Sequence, residues 1–204
     1  MRSMGAEVLT DPDYRMPAVP PGRTGVGWLR ASVARFVDGP RHDRRRALVL
    51  AELAAIDPEV LARQAINGVD GPIEILAEAF GLPAGLTGDV ELVAACYQPH
   101  TTITPAADDA VGRLITACGG VADEATANRI GLLVQASRAT IALVNHLATG
   151  HAGPPVPATR RIAPDGTVVR VDLTEEPFGC GPHACPGEAH ARAIASGLVE
   201  RARS

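Results

Sequence analysis

The run Phe178-Gly179-Cys180-Gly181-Pro182-His183-Ala184-Cys185-Pro186-Gly187 constrains this chain more than any other. Three glycines, a histidine two before a cysteine and a phenylalanine seven before it precede an amphipathic run from Glu188 to Arg201. Glycine allows positive φ and lets a flat ligand approach the backbone closely. A cysteine at the start of a helix gains from the partial positive charge there, which favours thiolate. A thiolate in a glycine-rich, partly apolar loop suits an iron ligand. Two other readings use the same residues. Cys180, His183, Cys185 and His190 are zinc-type ligands at a spacing that fits no common knuckle. Cys180 and Cys185 are also a potential disulfide pair, although nothing in the chain points to an oxidising compartment.

The loop resembles the cysteine-ligand loop of the cytochrome P-450 family, F-x-x-G-x-H-x-C-x-G, with Phe178, Gly181, His183, Cys185 and Gly187 at the fixed positions. The resemblance implies haem b held by Cys185 as axial thiolate. Phe178 would pack against the sulfur side, and His183 would reach a propionate. A second run, Asp38-Gly39-Pro40-Arg41-His42-Asp43-Arg44-Arg45-Arg46, resembles the family's D-x-P-x-H-x-x-x-R helix start. His42 and Arg46 are four apart and share a helix face; by resemblance both bind propionates. Taken alone, the run reads better as a solvated arginine patch at a helix start, and the second family motif in the right order reverses that. Arg160 and Arg161, after Pro154-Pro155-Val156, resemble the family's P-V-x-x-x-R strand, with Arg161 in the better register for a propionate.

The longest helical pattern runs from Asp123 to about Thr149 and spans roughly 40 Å at 1.5 Å per residue. It is apolar nearly all round between Ile130 and Leu147, which predicts a buried central helix. Its Gln135-Ala136-Ser137-Arg138-Ala139-Thr140 resembles the family's distal A-G-x-[DE]-T, with Thr140 in the threonine position, Ser137 replacing the glycine and Ala139 the acid. An alanine relays no protons. Arg138 faces water, binds an acidic substrate, or supplies a donor above the iron. The family's E-x-x-R helix is absent from its expected place, and the chain is much shorter than a family member.

Around these motifs the chain is helical. Helices are predicted over 25–37, 41–55, 58–66, 71–80, 89–98, 106–118 and 188–202, with a β-hairpin from 158–163 and 167–173 around Pro164-Asp165-Gly166. Residues 1–24, rich in proline, glycine and charge, predict a loose arm ahead of a haem-binding domain over 25–204. The fold class is therefore mainly α: a truncated cytochrome P-450-like fold with a long central helix, a small hairpin and a cysteine-ligand loop.

Hydrophobic residues make up 46% of the 204, but aromatics only 3%, so the core rests on Ala, Leu, Val and Ile. The net charge of −4 gives no case for nucleic acid. No basic-then-apolar leader opens the chain and no apolar run reaches membrane-spanning length, so the expected compartment is the cytoplasm. Cys96 and Cys118 read as buried small hydrophobes. His100, His146 and His151 match no motif. The function expected is a haem-thiolate monooxygenase or peroxygenase, or non-oxygenative haem chemistry, on a small molecule. Thr140 and Arg138 are the distal catalytic candidates, and a redox partner is implied. The alternative is a haem-binding sensor or auxiliary subunit without turnover. The missing segments predict a homo-oligomer or a bound partner covering the exposed core.

Overall fold

The computed structural model describes residues 2–69, 71–150 and 153–204; His151 lies outside them. Among the described residues eight α-helices and three strands form, in the order β1 (Arg2–Met4), α1 (Gly25–Ser32), α2 (Gly39–Ala54), α3 (Pro58–Ile66), α4 (Gly71–Ala79), α5 (Thr87–Cys96), α6 (Pro105–Ala117), α7 (Glu124–Thr149), β2 (Ala158–Ile162), β3 (Val168–Asp172) and α8 (Glu188–Arg203). No described helix is long and apolar enough to cross a membrane.

Local signals set most of the boundaries. Asp57 caps α3 through Glu59 N–H, Thr104 caps α6 through Ala107 N–H, and Asp123 caps α7 through Thr126 N–H. Gly150, at φ 63°, closes α7 in the left-handed conformation. The single helix expected over 25–37 is broken. α1 stops at Ser32, Val33 is extended, and Ala34–Phe36 form a 3-10 turn. The cause is long-range: Arg45 Nη1 donates to Val33 O at 3.0 Å, and Ala34 N–H donates to Asn128 Oδ1 at 2.9 Å. Both backbone groups are thus satisfied without continuing the helix.

The main core surrounds α7, with Ile130, Leu133, Leu61, Val93, Val111 and Ile194 fully enclosed. The second half of α7 departs from the expected all-round burial. Ile141 is 43% exposed and Leu147 38%.

The hairpin of β2 and β3 is part of a three-stranded sheet. β3 lies in the centre, antiparallel to β2 and parallel to β1. The hairpin expected over 158–173 is present, and a third strand from the N-terminal segment joins it. Residues 2–4 add a strand, and the 3-10 turn Ala6–Leu9 buries Val8 and Leu9 against Val169, Val171 and Leu173. Arg15 continues the contact through paired backbone hydrogen bonds to Ile162. Proline and glycine content predicted a segment without internal periodicity. The apolar pair Val8 and Leu9 nevertheless gives it a surface to bury.

Candidate functional site

The cysteine run folds into a tight loop between β3 and α8. Cys185 N–H donates to Phe178 O at 2.8 Å, and Ala184 N–H donates to Gly181 O at 3.1 Å. The first bond places the phenylalanine beside the cysteine. Gly179 and Gly181 take φ of 70° and 68°, the region L side chains avoid. At Gly181 a side chain is also sterically shut out, since a Cβ would stand 2.7 Å from Leu9 O. Gly187 has no such need: its φ is −105° and a Cβ would meet only Leu53, at ordinary contact distance.

The loop forms one wall of a cavity of about 600 Å³, within the range of small-molecule and cofactor sites. The exposed Cys185 side chain faces this space, with Phe178 and His183 beside it. α2 contributes His42 and Arg46, β2 contributes Arg161, and α7 contributes Thr140, Ala139 and Arg138. The separate motifs therefore meet around one space, together with Leu9 and Met16 of the N-terminal segment.

His42 is 2% exposed, and its ring lies 4.1 Å from that of His183 between centroids. His42 Nδ1 is 3.2 Å from Asp43, and His183 Nε2 is 3.0 Å from Asp38. Asp38 precedes α2 in the cap position but caps nothing with its side chain; its carboxylate takes His183 and the Met16 N–H instead. Burial pushes His183 down to about 4, against the pull of the Asp38 hydrogen bond. At neutral pH that contact is a hydrogen bond and not an ion pair.

Arg161 is 5% exposed and donates to Arg160 O at 2.9 Å, but it has no carboxylate partner among the described residues. Burial lowers its pKa, and the nearby Arg35 lowers it further. Arg46 is half-buried and likewise without an ion pair. Cations held like this in a poorly solvated site favour an anion between them. Arg44 and Arg45, which share the arginine run, are different: both bind Glu124 at the start of α7.

Burial also pushes the Cys185 thiol up, opposed by the Gly187 N–H that points at the sulfur. The helix start alone therefore does not supply the thiolate expected there; a bound metal ion would, by displacing the proton. On the opposite wall Thr140 is buried and Ser137 donates to Val134 O at 2.8 Å. Arg138 is exposed at the edge of the cavity, Ala139 half-buried.

The zinc alternative fails on geometry. Among the described residues no three His, Cys, Asp or Glu side chains converge. Cys180 Sγ faces Ala6 O at 3.6 Å, and His190 Nε2 binds the carbonyls of Leu53 and Ile56 at 3.1 Å. All four cysteines are free. The donor set fits haem better: one thiol facing the cavity, a neighbouring aromatic ring, and two arginines without acidic partners on adjoining walls.

Motif reading did not reach Arg35 and Tyr97 and gave Gln135 no role, although all three line the cavity. They follow no sequence pattern, although Tyr97 is one of only two tyrosines in the chain.

No family model and no curated protein matches the chain. Among solved structures it is similar to P450BioI, determined in complex with hexadec-9Z-enoic acid ligated acyl carrier protein. The TM-score is 0.69 at 14% sequence identity, covering 98% of this chain and 83% of that chain. At that identity the similarity is one of fold. The helical body and the small sheet together have a fold similar to that cytochrome P-450.

Proposed function

We propose that the chain binds haem through Cys185 and acts as a haem-thiolate oxidoreductase on a small molecule. The observation that supports this most is the convergence of the His42/Arg46, Arg161 and Phe178–Gly187 segments on the cavity that Cys185 faces. Bound there, thiolate-ligated haem supplies a redox-active iron made electron-rich by the sulfur. Arg46 and Arg161 would neutralise its two carboxylates, with the adjoining His42 and His183 at their side. Gly187 N–H would stabilise the sulfur anion, and Phe178 would shield it from water.

Thr140 would hold a proton at its Oγ1 over the reacting face, and Arg138 at the cavity edge would bring positive charge to an incoming group. Ala139 leaves Thr140 without a neighbouring side-chain acid. Dioxygen chemistry that draws protons through this wall is therefore disfavoured. Peroxide-driven or non-oxygenative turnover is the expected class. The same residue favours a second reading, a haem-binding sensor or auxiliary subunit. Turnover with peroxide or with a reductase system separates the two.

Exposed Ile141, Leu147 and Leu50 support the further proposal of self-association or a partner subunit. Light scattering should give a mass above the monomer's. The primary test is the absorption spectrum of the purified protein, ferric and then reduced under carbon monoxide. A strongly red-shifted Soret band, lost in Cys185→Ala, is expected. A colourless protein that takes up no added haem ends this reading.

A further inference from the structure

Part of the cavity wall lies outside the motif residues and carries polar groups without a partner among the described residues. Arg35 stands on the 3-10 turn after α1 and donates from Nη1 to Gln135 Oε1 at 3.2 Å, joining residues 100 positions apart. Its Nε is buried and has no partner. Tyr97, just after α5, is 3% exposed, and its hydroxyl is also buried without a partner. Phe36 ties the two together: its ring is 5.1 Å from that of Tyr97 and lies 5.8 Å below the Arg35 guanidinium. Gly131 on α7 lets this cluster pack closely, since a Cβ there would stand only 3.1 Å from Val33 Cγ1. A Cβ there would stand 3.4 Å from Tyr97 Oη and 3.6 Å from Gln135 Nε2. Arg35, Tyr97 and Gln135 line the same cavity, and Gln135 Nε2 also donates to Gly131 O at 3.0 Å. Buried donors of this kind are almost always satisfied, by protein, water or ligand.

Charge selects the ligand. Arg35, Arg46, Arg138 and Arg161 line the cavity, and among the described residues no aspartate or glutamate does. Two haem carboxylates offset two of these charges. Asp38, behind the histidine pair, offsets one more. One positive charge remains even so. The adjoining walls, with Leu76, Phe80, Leu132, Val134 and Leu143, are apolar.

We infer that Arg35, Tyr97 and Gln135 form a carboxylate-recognising subsite, and that the substrate is an apolar small molecule bearing an acid group. The charge count rests on the haem reading; the unpartnered donors do not. Arg35 supplies a charge-assisted hydrogen bond, and Tyr97 and Gln135 complete the shell around the second oxygen.

The test uses the haem-supplied protein and calorimetric titration with decanoate and 4-phenylbutyrate, each against its neutral amide. At least one acid should bind about tenfold or more tightly than its amide. Arg35→Gln should erase that preference, and Arg35→Lys, which keeps the charge, should retain part of it. Tyr97→Phe should weaken the acid several-fold and leave the amide unchanged. Acids no tighter than amides, or a preference that survives Arg35→Gln, overturn the inference. Arg35→Gln that loses haem while keeping the acid preference reassigns Arg35 to a haem carboxylate and also overturns it. The Soret band of the same samples separates the two readings. A colourless protein that still prefers acids sinks the haem and supports the subsite, whereas normal haem without acid preference sinks the subsite alone.

Discussion

Two walls of one cavity are built by opposite means. The backbone of the cysteine loop is set locally, within ten residues, by two left-handed glycines and a hydrogen bond from Cys185 N–H to Phe178 O, while Asp38 holds His183 from outside. The wall of Arg35, Tyr97 and Gln135 is assembled from three distant segments, held by side-chain contacts to α7. The local wall is rigid because its backbone has few alternatives. The assembled wall is as well defined as the packing of α2, α5 and α7 makes it. A local site leaves a motif; an assembled one leaves only residues scattered through helical patterns.

The largest expected effect separates chemistry from stability on the local wall. Cys185→Ala should abolish the thiolate-type carbon monoxide spectrum entirely. Cys185 is exposed toward the cavity, so urea unfolding should shift by less than about 1 kcal/mol. A large loss of stability would show the thiol to be a packing element, and the contrast between the walls would fail.

Next in size is a pair of glycine substitutions in the same loop. Gly179→Ala introduces left-handed strain alone, since the nearest side-chain atom to a Cβ there, on Leu9, is 3.8 Å away. About 1–2 kcal/mol is expected. Gly181→Ala adds a Cβ 2.7 Å from Leu9 O, so the expected loss rises to about 3 kcal/mol. The difference, read from urea midpoints, reports how firmly residues 6–9 lie against the loop. Equal effects would mean that the N-terminal segment gives way, and that the local wall is even more self-contained than described.

That segment also marks the limit of what the residues alone reveal. The helices, the hairpin and the cysteine loop are legible because each carries its own pattern: caps at Asp57, Thr104 and Asp123, alternation in Val168 to Asp172, and fixed spacing from Phe178 to Gly187. Residues 2–9 carry no pattern of their own. Their strand is parallel to β3, which lies more than 150 positions away, and only the assembled sheet shows it. The same holds for the break at Val33, which Arg45 and Asn128 impose from elsewhere. In the arginine run, sequence assigned Arg46 to the ligand, but nothing in the spacing shows that Arg44 and Arg45 turn to Glu124.

Glu124 offers a way to loosen the assembled wall without touching the cavity. It clamps α2 to the start of α7, pairing with Arg44 and with Arg45, whose side chain is 7% exposed. Burial alone would raise the Glu124 carboxyl, but the hydrogen bonds from Arg44 and Arg45 outweigh it and hold the pKa below the usual range. A carboxylate depressed in the folded state stabilises fully above its unfolded value, near 4.5, and loses that contribution as pH falls through the lower folded value. Glu124→Gln should cost about 2 kcal/mol at neutral pH, less than a fully buried pair because Glu124 is partly solvated. It should also flatten the acid side of the stability profile. The flattening is partial, since Glu74 and Asp172 are depressed as well. If the walls are independent, the Cys185 spectrum stays unchanged while acid binding at Arg35 weakens.

The smallest effect has the opposite sign. Tyr97→Phe keeps the ring against Phe36 and removes only a buried hydroxyl without a partner among the described residues. Burial already holds that hydroxyl far from ionising, so no charge is lost with it. Removing an unsatisfied buried group relieves its desolvation cost. The ligand-free protein should therefore gain up to about 1 kcal/mol in urea unfolding. The cysteine loop offers no such gain at Gly179, Ala184 and Cys185, whose backbone donors are already paired. A hydroxyl retained at a cost to the empty protein is what a ligand-recognising wall requires. A loss of stability in Tyr97→Phe would instead mean that the hydroxyl is satisfied within the protein, and the two walls would then differ only in how they are assembled.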